Sequence, residues 1–427
     1  MKNLPLDARR TQRRAAAWIV ATVACGAAWA QSANEALNAA GIQAGPVIIA
    51  PSLSVGYAYD TNVLQQPRTT DPVPDEVLTL QPAVQLTVPF SNSWFRFGDV
   101  LTYVDYNKTP QTQGKTSNDA AADLTLNFAS LDQLELSAHS VAGVAETLAF
   151  DLGGEIGFQG NNFTLHSQAA VFSRLLQGAR GYRFGLEHTA LRFDSAVNAN
   201  FYNYRGFDGE ASYFQPLSPN TRLAFGYLGS RYDHFSVANP STVSRTENGD
   251  IVYGQFEGRF GPRQPYVLRL GWERLAFGGT ESIAGGDFSG VVGQFNLSAI
   301  VGGGTTFTVV VQRQPYRSYD ANNSYYVSNL AVGSVERLFH ERTSVGGSLL
   351  FSINGYRRPS TEVDVDGETV TFYREDRRVQ LEAHANIALA ERVAFRVSFA
   401  RNRRYSNASF ANYNNTVVFG GFVFGWT

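Results

Sequence analysis

The chain of 427 residues contains one cysteine, Cys25, and one methionine. With no cysteine after residue 25, neither a disulfide framework nor a thiolate metal site is available downstream. Lysine is nearly absent as well: Lys2, Lys108 and Lys115 are the only ones. A preference for arginine codons accounts for that more simply than a functional demand. Long apolar runs are also missing. Beyond residue 30 the nearest approach to one is VVGQFNLSAIVGGGTTFTVVVQ, Val291 to Gln312, which Gln294, Asn296 and Gly302–Gly304 interrupt. Such a stretch suits two strands and a turn, so a helical membrane protein is excluded. The histidines, His139, His166, His188, His234, His340 and His384, stand singly. No HExxH, paired CxxC or nucleophile-elbow pattern accompanies them, so the chain offers no catalytic, metal or cofactor motif.

What is present begins with a leader. Lys2, Arg9, Arg10, Arg13 and Arg14 form a basic region, Ala15 to Ala24 an apolar one, and Ala28-Trp29-Ala30 a small-x-small cleavage site. Residues 1–30 therefore read as a secretory signal peptide, 31–50 as a short periplasmic segment and 51–427 as the folded unit. Removing the leader takes five of the 35 basic residues and one of the 37 acids, and the remainder is mildly acidic. That balance disfavours nucleic acid, whose binding needs a basic patch.

The folded unit alternates with period two. In DLTLNF, Leu124, Leu126 and Phe128 oppose Asp123, Thr125 and Asn127; in RVQLEAHANIAL, Val379, Leu381, Ala383, Ala385, Ile387 and Leu389 oppose Arg378, Gln380, Glu382, His384, Asn386 and Ala388. One face of each strand is apolar and the other wet. Short turns, among them Phe90–Ser93, Gly160–Asn162, Asp194–Val197, Pro216–Asn220, Gly302–Gly304 and Ala390–Arg392, alternate with mostly longer polar connections, among them Thr61–Asp75, Asn107–Asn118, Phe235–Asn248 and Arg357–Thr369. Three shorter connections near Thr147, Gln177 and Gly206 complete a count of twenty strands, or eighteen if one hairpin is miscounted. A soluble sandwich would bury its apolar faces against a second sheet and seldom alternates loop lengths throughout. The expected fold is all-β, a transmembrane antiparallel up-and-down barrel of about 18–20 strands in the bacterial outer membrane.

This reading assigns the faces. Arg378, Gln380, Glu382, His384 and Asn386 point into the lumen, with Arg392, Arg396, Ser398, Asn402 and Arg404 on the following strand and Thr306, Thr308, Gln312 and Gln314 earlier. A wall of Arg, Glu, Gln and Asn suits the hydroxyls and carboxylates of a polar solute, but hydration of the lumen alone demands the same alternation. Aromatics near the long loops (Tyr204, Tyr232, Tyr316, Tyr325, Tyr326, Tyr356, Tyr373) and near short turns (Phe90, Trp94, Phe339) are expected to form the interfacial girdles. The acidic stretch EVDVDGET, Glu362 to Glu368, reads as a hairpin tip turning at Asp366-Gly367 rather than a calcium loop. Phe422, Phe424 and Trp426 of the last strand face lipid, and that strand pairs with the first, near Pro51 to Tyr59. Gly421-x-x-Phe424-x-Trp426 resembles the terminal signal that the barrel-assembly machinery reads on its clients, departing from it in the Thr427 that follows.

SVGYAYDTNV, Ser54 to Val63, and RRYSNASFANYNNTVVFGGFVF, Arg403 to Phe424, resemble the opening and closing patterns of outer-membrane β-barrel porins often encoded with exopolysaccharide biosynthesis genes; PLSPNTRLAFGY, Pro216 to Tyr227, is similar in style. The resemblance implies a barrel that passes, or helps to pass, a polysaccharide through the outer membrane, in contact with membrane lipid and periplasmic export components. It carries no catalytic residues. Asp60, Asn62, Ser406, Asn407, Tyr413 and Asn415 match its end motifs and are expected to fix the closing seam. The rivals are a general diffusion porin, whose mark is an inward-folded constriction element, and a lipid- or glycan-active barrel enzyme, which needs a Ser–His or paired-acid cluster at the rim. Residues 31–50 are too few for the plug of a TonB-dependent transporter.

Overall fold

The computed structural model describes residues 41–425 apart from 68–69, 109–114, 129–130, 144–161, 194–201, 237–238, 262, 279–285, 319–322, 341 and 364–368. The leader and Trp426 lie outside the described residues. A short strand β1 (Ile42–Ala44) folds back on β2 (Val47–Asp60), followed by β3 (Asp75–Phe90), β4 (Ser93–Tyr106), β5 (Lys115–Asn127), β6 (Asp132–Gly143), β7 (Phe163–Leu175), β8 (Gly181–Phe193), β9 (Tyr202–Ser218) and β10 (Thr221–Ser236). The second half comprises β11 (Asn239–Arg259), β12 (Pro265–Gly278), β13 (Phe288–Val301), β14 (Thr305–Arg317), β15 (Tyr325–Phe339), β16 (Thr343–Val363), β17 (Thr369–Ala390), β18 (Val393–Ser406) and β19 (Tyr413–Gly425).

From β2 onward every strand pairs antiparallel with its successor, and β19 returns to β2 in a register from Val417↔Asp60 to Gly425↔Ser52. The result is a closed barrel of 18 strands with no free edge. In hydrocarbon only such closure pairs every strand's amides and carbonyls. Alternation then sorts the side chains. On β17 and β18, Leu381, Val397 and Phe399 are exposed outside, while Gln380, Arg396 and Ser398 are buried on the inner face. The same outer row continues through Leu349 and Phe351 of β16, Val311 of β14, Leu270 and Trp272 of β12 and Phe225 of β10, all exposed.

The connections differ from the expected pattern in the first half. Strand β6 ends at Gly143 and pairs directly with β7 from Phe163, so the two turns expected near Thr147 and at Gly160–Asn162 fall between neighbouring strands of the barrel, mostly outside the described residues. Residues 176–180 close the short-turn end, and 194–201 bridge β8 and β9 at the opposite end. Gly206 makes no turn at all. It sits within β9 opposite Tyr232, whose ring occupies the space that a Cβ placed there would need. The glycine makes room for an aromatic ring packed across the strands, and a loop-forming residue is the wrong reading of it. The first barrel strand also begins at Val47, earlier than Pro51.

At the long-loop end β16 and β17 run to 21 and 22 residues against 13 for β7 and β8, so this hairpin stands beyond the apolar band, as EVDVDGET suggested. Residues 364–368 of that tip lie outside the described residues. The aromatic girdle needs correction. Tyr204, Tyr232, Tyr316, Tyr326, Tyr356 and Trp94 fall on the inner rows, and Tyr326 is fully buried; Tyr373, Phe90 and Phe339 remain outward and exposed. Clustering near loops says nothing about face, which depends on register counted from a pairing partner.

Since Leu381 faces hydrocarbon, Leu381→Arg is expected to cost about 2–4 kcal/mol if it lies near the midplane, whereas Leu381→Phe is tolerated. Folding yield into lipid vesicles, read from heat-modifiable migration, distinguishes the two.

Candidate functional site

The inner wall at β16–β18 holds most of the residues expected to line the lumen, but in a tighter arrangement than a solute-facing ladder. Arg378, Gln380, Asn386, Arg396, Asn402 and Arg404 are all less than a tenth exposed. Near the long-loop end one carboxylate gathers several donors. Asp376 accepts Arg374 Nε at 3.2 Å and Nη2 at 2.9 Å, the Tyr356 hydroxyl at 3.1 Å, and the Arg404 guanidinium. The Arg374 guanidinium also lies 4.4 Å from the centre of the Tyr356 ring. Arg378 donates to Gln380 Oε1 at 3.1 Å. Lower on the same wall, Arg396 donates to Glu382 at 3.3 Å, and His384 lies 3.7 Å from both Glu382 and Glu336. Asn386 donates to Ser344 Oγ at 3.0 Å. A charge held this way in a partly dry wall is satisfied by neighbours first, which keeps the strands in register.

Two expected lining residues behave differently. Gln312 of β14 is on the inner face, bonded to Gln314. Arg392 is exposed in the turn between β17 and β18, where its carbonyl accepts the Gly425 amide at 2.9 Å. The turn consumes the residue that alternation had carried one step too far.

The other side of the barrel supplies charged residues that were not among the expected lumen-lining set. The inner rows of β5–β9 carry Asp119, Asp123, Glu135, Glu187, Asp208 and Glu210. Among them Asp119 is 37% exposed, and it sits 2.7 Å from His139 Nε2. Glu187 is exposed. Arginine on the adjoining strands is tied to acid: Arg269 to Glu210 at 3.3 Å and Arg222 to Glu257. Around the barrel β8–β9 stand opposite β17–β18, so an acid-rich wall faces one where Arg374, Arg378 and Arg404 outnumber Asp376. The signal was in the sequence, as alternate positions of DLTLNF and QLELSAH, but nothing there revealed which strands lie opposite each other.

At the long-loop end the mouth is asymmetric. The β13–β14 ladder stops at Gly293↔Arg313, although both strands continue. Beyond that point the outer-row Tyr325 of β15 stacks on the inner-row Phe277 at 5.8 Å and meets Phe288 edge-on at 5.5 Å. Leu275, Val292 and Val327 close the same apolar cluster. The β14–β15 hairpin thus lies on the lumen side of β12–β13, its base continuing through Tyr316, Tyr326 and Tyr356 toward Asp376.

Of the end-motif residues, Asp60, Asn62 and Asn415 meet across the seam, whereas Ser406 bonds within its own loop to Ala408 and Asn412 and Tyr413 sits opposite Arg404 of β18. Asn62 accepts the Gln66 amide at 2.9 Å and donates to the carbonyls of Gln66 at 2.9 Å and Asn414 at 3.2 Å. Asn415 donates to Asp60 Oδ2 at 3.2 Å, and Thr61 and Thr416 exchange bonds of 3.0 and 2.9 Å. Asn407 bridges to β17 by accepting the Glu375 amide at 2.8 Å and donating to the Tyr373 carbonyl at 2.6 Å. Lower on the seam, the Phe419 ring lies over Gly56, and Gly421 follows on the same inner row. Phe422 is exposed outside, 5.0 Å from Phe395 and 6.3 Å from Phe424.

For a rim enzyme, the described residues hold no group of three potential metal ligands. Ser140 and His166 face each other across β6 and β7 on the outer side, and no hydrogen bond joins them among the described residues.

A closed antiparallel barrel with an apolar belt, a polar interior and unequal loops defines a transmembrane barrel of the bacterial outer-membrane type. No family model and no curated protein sequence matches the chain. Among solved structures it is similar to the siderophore receptor PirA from Pseudomonas aeruginosa, with 10% identity and a TM-score of 0.45 over 89% of this chain and 80% of that one. It is also similar to the copper transporter OprC, with 10% identity and a TM-score of 0.48 over 87% and 64%. The outer membrane protein opdK from Pseudomonas aeruginosa gives 11% identity and a TM-score of 0.44 over 88% and 99%. At such identities and scores the likeness is one of barrel scaffold, and the cargo of those proteins says nothing about this one.

Removing the shared carboxylate in Asp376→Asn leaves Arg374 and Arg404 buried without their counter-charge, at an expected cost of about 3–5 kcal/mol. At the seam, Asn415→Ala removes neutral and charge-assisted bonds and is expected to cost about 1–3 kcal/mol. Urea unfolding of the refolded barrel in lipid gives the order: wild type, then Asn415→Ala, then Asp376→Asn.

Proposed function

We propose that this barrel is a non-enzymatic conduit by which a secreted polysaccharide crosses the outer membrane. The observation that carries the reading is the seam. Of the six residues that match the exopolysaccharide-associated porins, Asp60, Asn62 and Asn415 bind the first and last strands together at the mouth, and Asn407 ties the neighbouring loop to the β17 rim. A motif that closes a wide barrel is expected wherever that barrel architecture serves the same transport. The lumen supports it chemically, since amides, hydroxyls and paired charges on every side offer exchangeable hydrogen bonds to sugar hydroxyls without one deep binding site. In this reading the short-turn end faces the periplasm and meets the export components, and the barrel-assembly machinery inserts the chain through its last strand.

The overlap of the β14–β15 hairpin on the lumen side of β12–β13 favours a second reading, a general diffusion porin with a narrowed mouth. Single-channel conductance in a planar bilayer separates them. Length-dependent block by oligosaccharides supports the polysaccharide conduit; a large conductance indifferent to sugars supports the porin and removes the first reading. In either case the exposed lumen acid Glu187 is expected to set ion preference, so Glu187→Lys shifts the reversal potential toward anions without impairing assembly.

A further inference from the structure

The outer surface is not uniformly apolar. Midway up most strands it presents large side chains such as Leu270, Trp272, Val311, Leu349, Phe351 and Phe399. Over β5–β8 the corresponding rows instead hold Asn118, Ser140, His166, Gln168 and His188, separated by alanines at 120, 122, 138, 142 and 190, and on β4 Asp99 lies between Phe97 and the exposed Leu101. Asp99 accepts the Asn118 amide at 2.6 Å, and His188 packs 4.7 Å from Phe207. His166 and Gln168 are exposed on this face and, among the described residues, hydrogen-bond to nothing. Lipid tails offer them no partner. Small residues flanked by polar ones are what closely packed surfaces in a membrane require, because they let backbones approach and hydrogen bonds form between the packed elements.

We propose that this face is where a second copy of the chain docks. Two copies inserted in the same direction relate by a two-fold axis parallel to the barrel axis. Such an axis through the patch sets the central strand β6 against its own copy and brings the β4 edge of one barrel against the β7–β8 edge of the other. The acid and amide of Asp99 and Asn118 then meet His166, Gln168 and His188. The patch is complementary to itself, carrying its acid on one edge and its imidazoles on the other. This inference is independent of what passes through the lumen.

Cys25 lies in the predicted leader, so single introduced cysteines report directly on the contact. Ser140→Cys, at the expected axis, is oxidised in native outer membranes beside Leu349→Cys on the far outer face. The expected result is a species of twice the chain's mass for Ser140→Cys, absent for Leu349→Cys, and lost when His166→Leu and Gln168→Leu are added to Ser140→Cys. Equal cross-linking at both cysteines, or none at Ser140→Cys in a barrel that assembles normally, overturns the proposal. A product of some other mass overturns it too, since the face then belongs to a different protein.

Discussion

Everything in this molecule depends on pairing the last strand with the first. An open sheet in hydrocarbon would leave two rows of amides and carbonyls without partners, each group costing several kcal/mol, and no packing of side chains offsets such a row. The ladder between β19 and β2 supplies the closure, and the chain reinforces it where the ladder ends. At the long-loop rim Asp60, Asn62, Asn415 and the Thr61–Thr416 pair extend the pairing with side chains after the strands have parted. On the inner side, the absence of a Cβ at Gly56 lets Phe419 lie flat across the same junction. Residues separated by most of the chain are thus held by many short contacts at the one junction that joins strands far apart in sequence.

The wall of the lumen shows the same economy. A polar interior is obligatory once the outside is apolar, yet many of its charges do not face the channel. Arg374 and Arg404 converge on Asp376, and Tyr356 completes the set, so the guanidiniums are spent on cohesion between β16, β17 and β18. Their charge still acts at a distance. The buried basic wall and the more exposed acids of β5–β9 impose a field across the lumen, because buried or partly buried charges are screened less than exposed ones. The groups left open to the lumen are mainly the exposed acids, amides and hydroxyls.

Faces were legible wherever alternation was strict, as in RVQLEAHANIAL, whose inner and outer rows on β17 follow the written order. Connections were legible where polarity and turn residues agreed, as at Gly302–Gly304. They failed at Gly206, where glycine answers a ring on the neighbouring strand, and at Gly160–Asn162, where a turn-like string belongs to a longer connection on the opposite end. The inward aromatics failed for a related reason. Proximity to a loop is a position along the strand, whereas lumen or lipid is a matter of parity, and Tyr326 and Tyr373, both toward the long-loop end, lie on opposite faces. Asp376, the hub of the basic wall, went unnoticed because its importance lies in Arg404 and Tyr356, which reach it from other strands.

By itself the sequence determined that the chain crosses a membrane with strands, that one face of each is polar, and that its two ends belong together. These follow from period-two alternation and composition, which are local properties of the backbone and need no partner to be read. Only the tertiary structure decided the strand number, which walls oppose each other, how far the arginines are buried, and that β4–β8 present polar groups to lipid. Those depend on register and closure, in which one residue's surroundings are set by strands far away in the chain, and no local pattern encodes them.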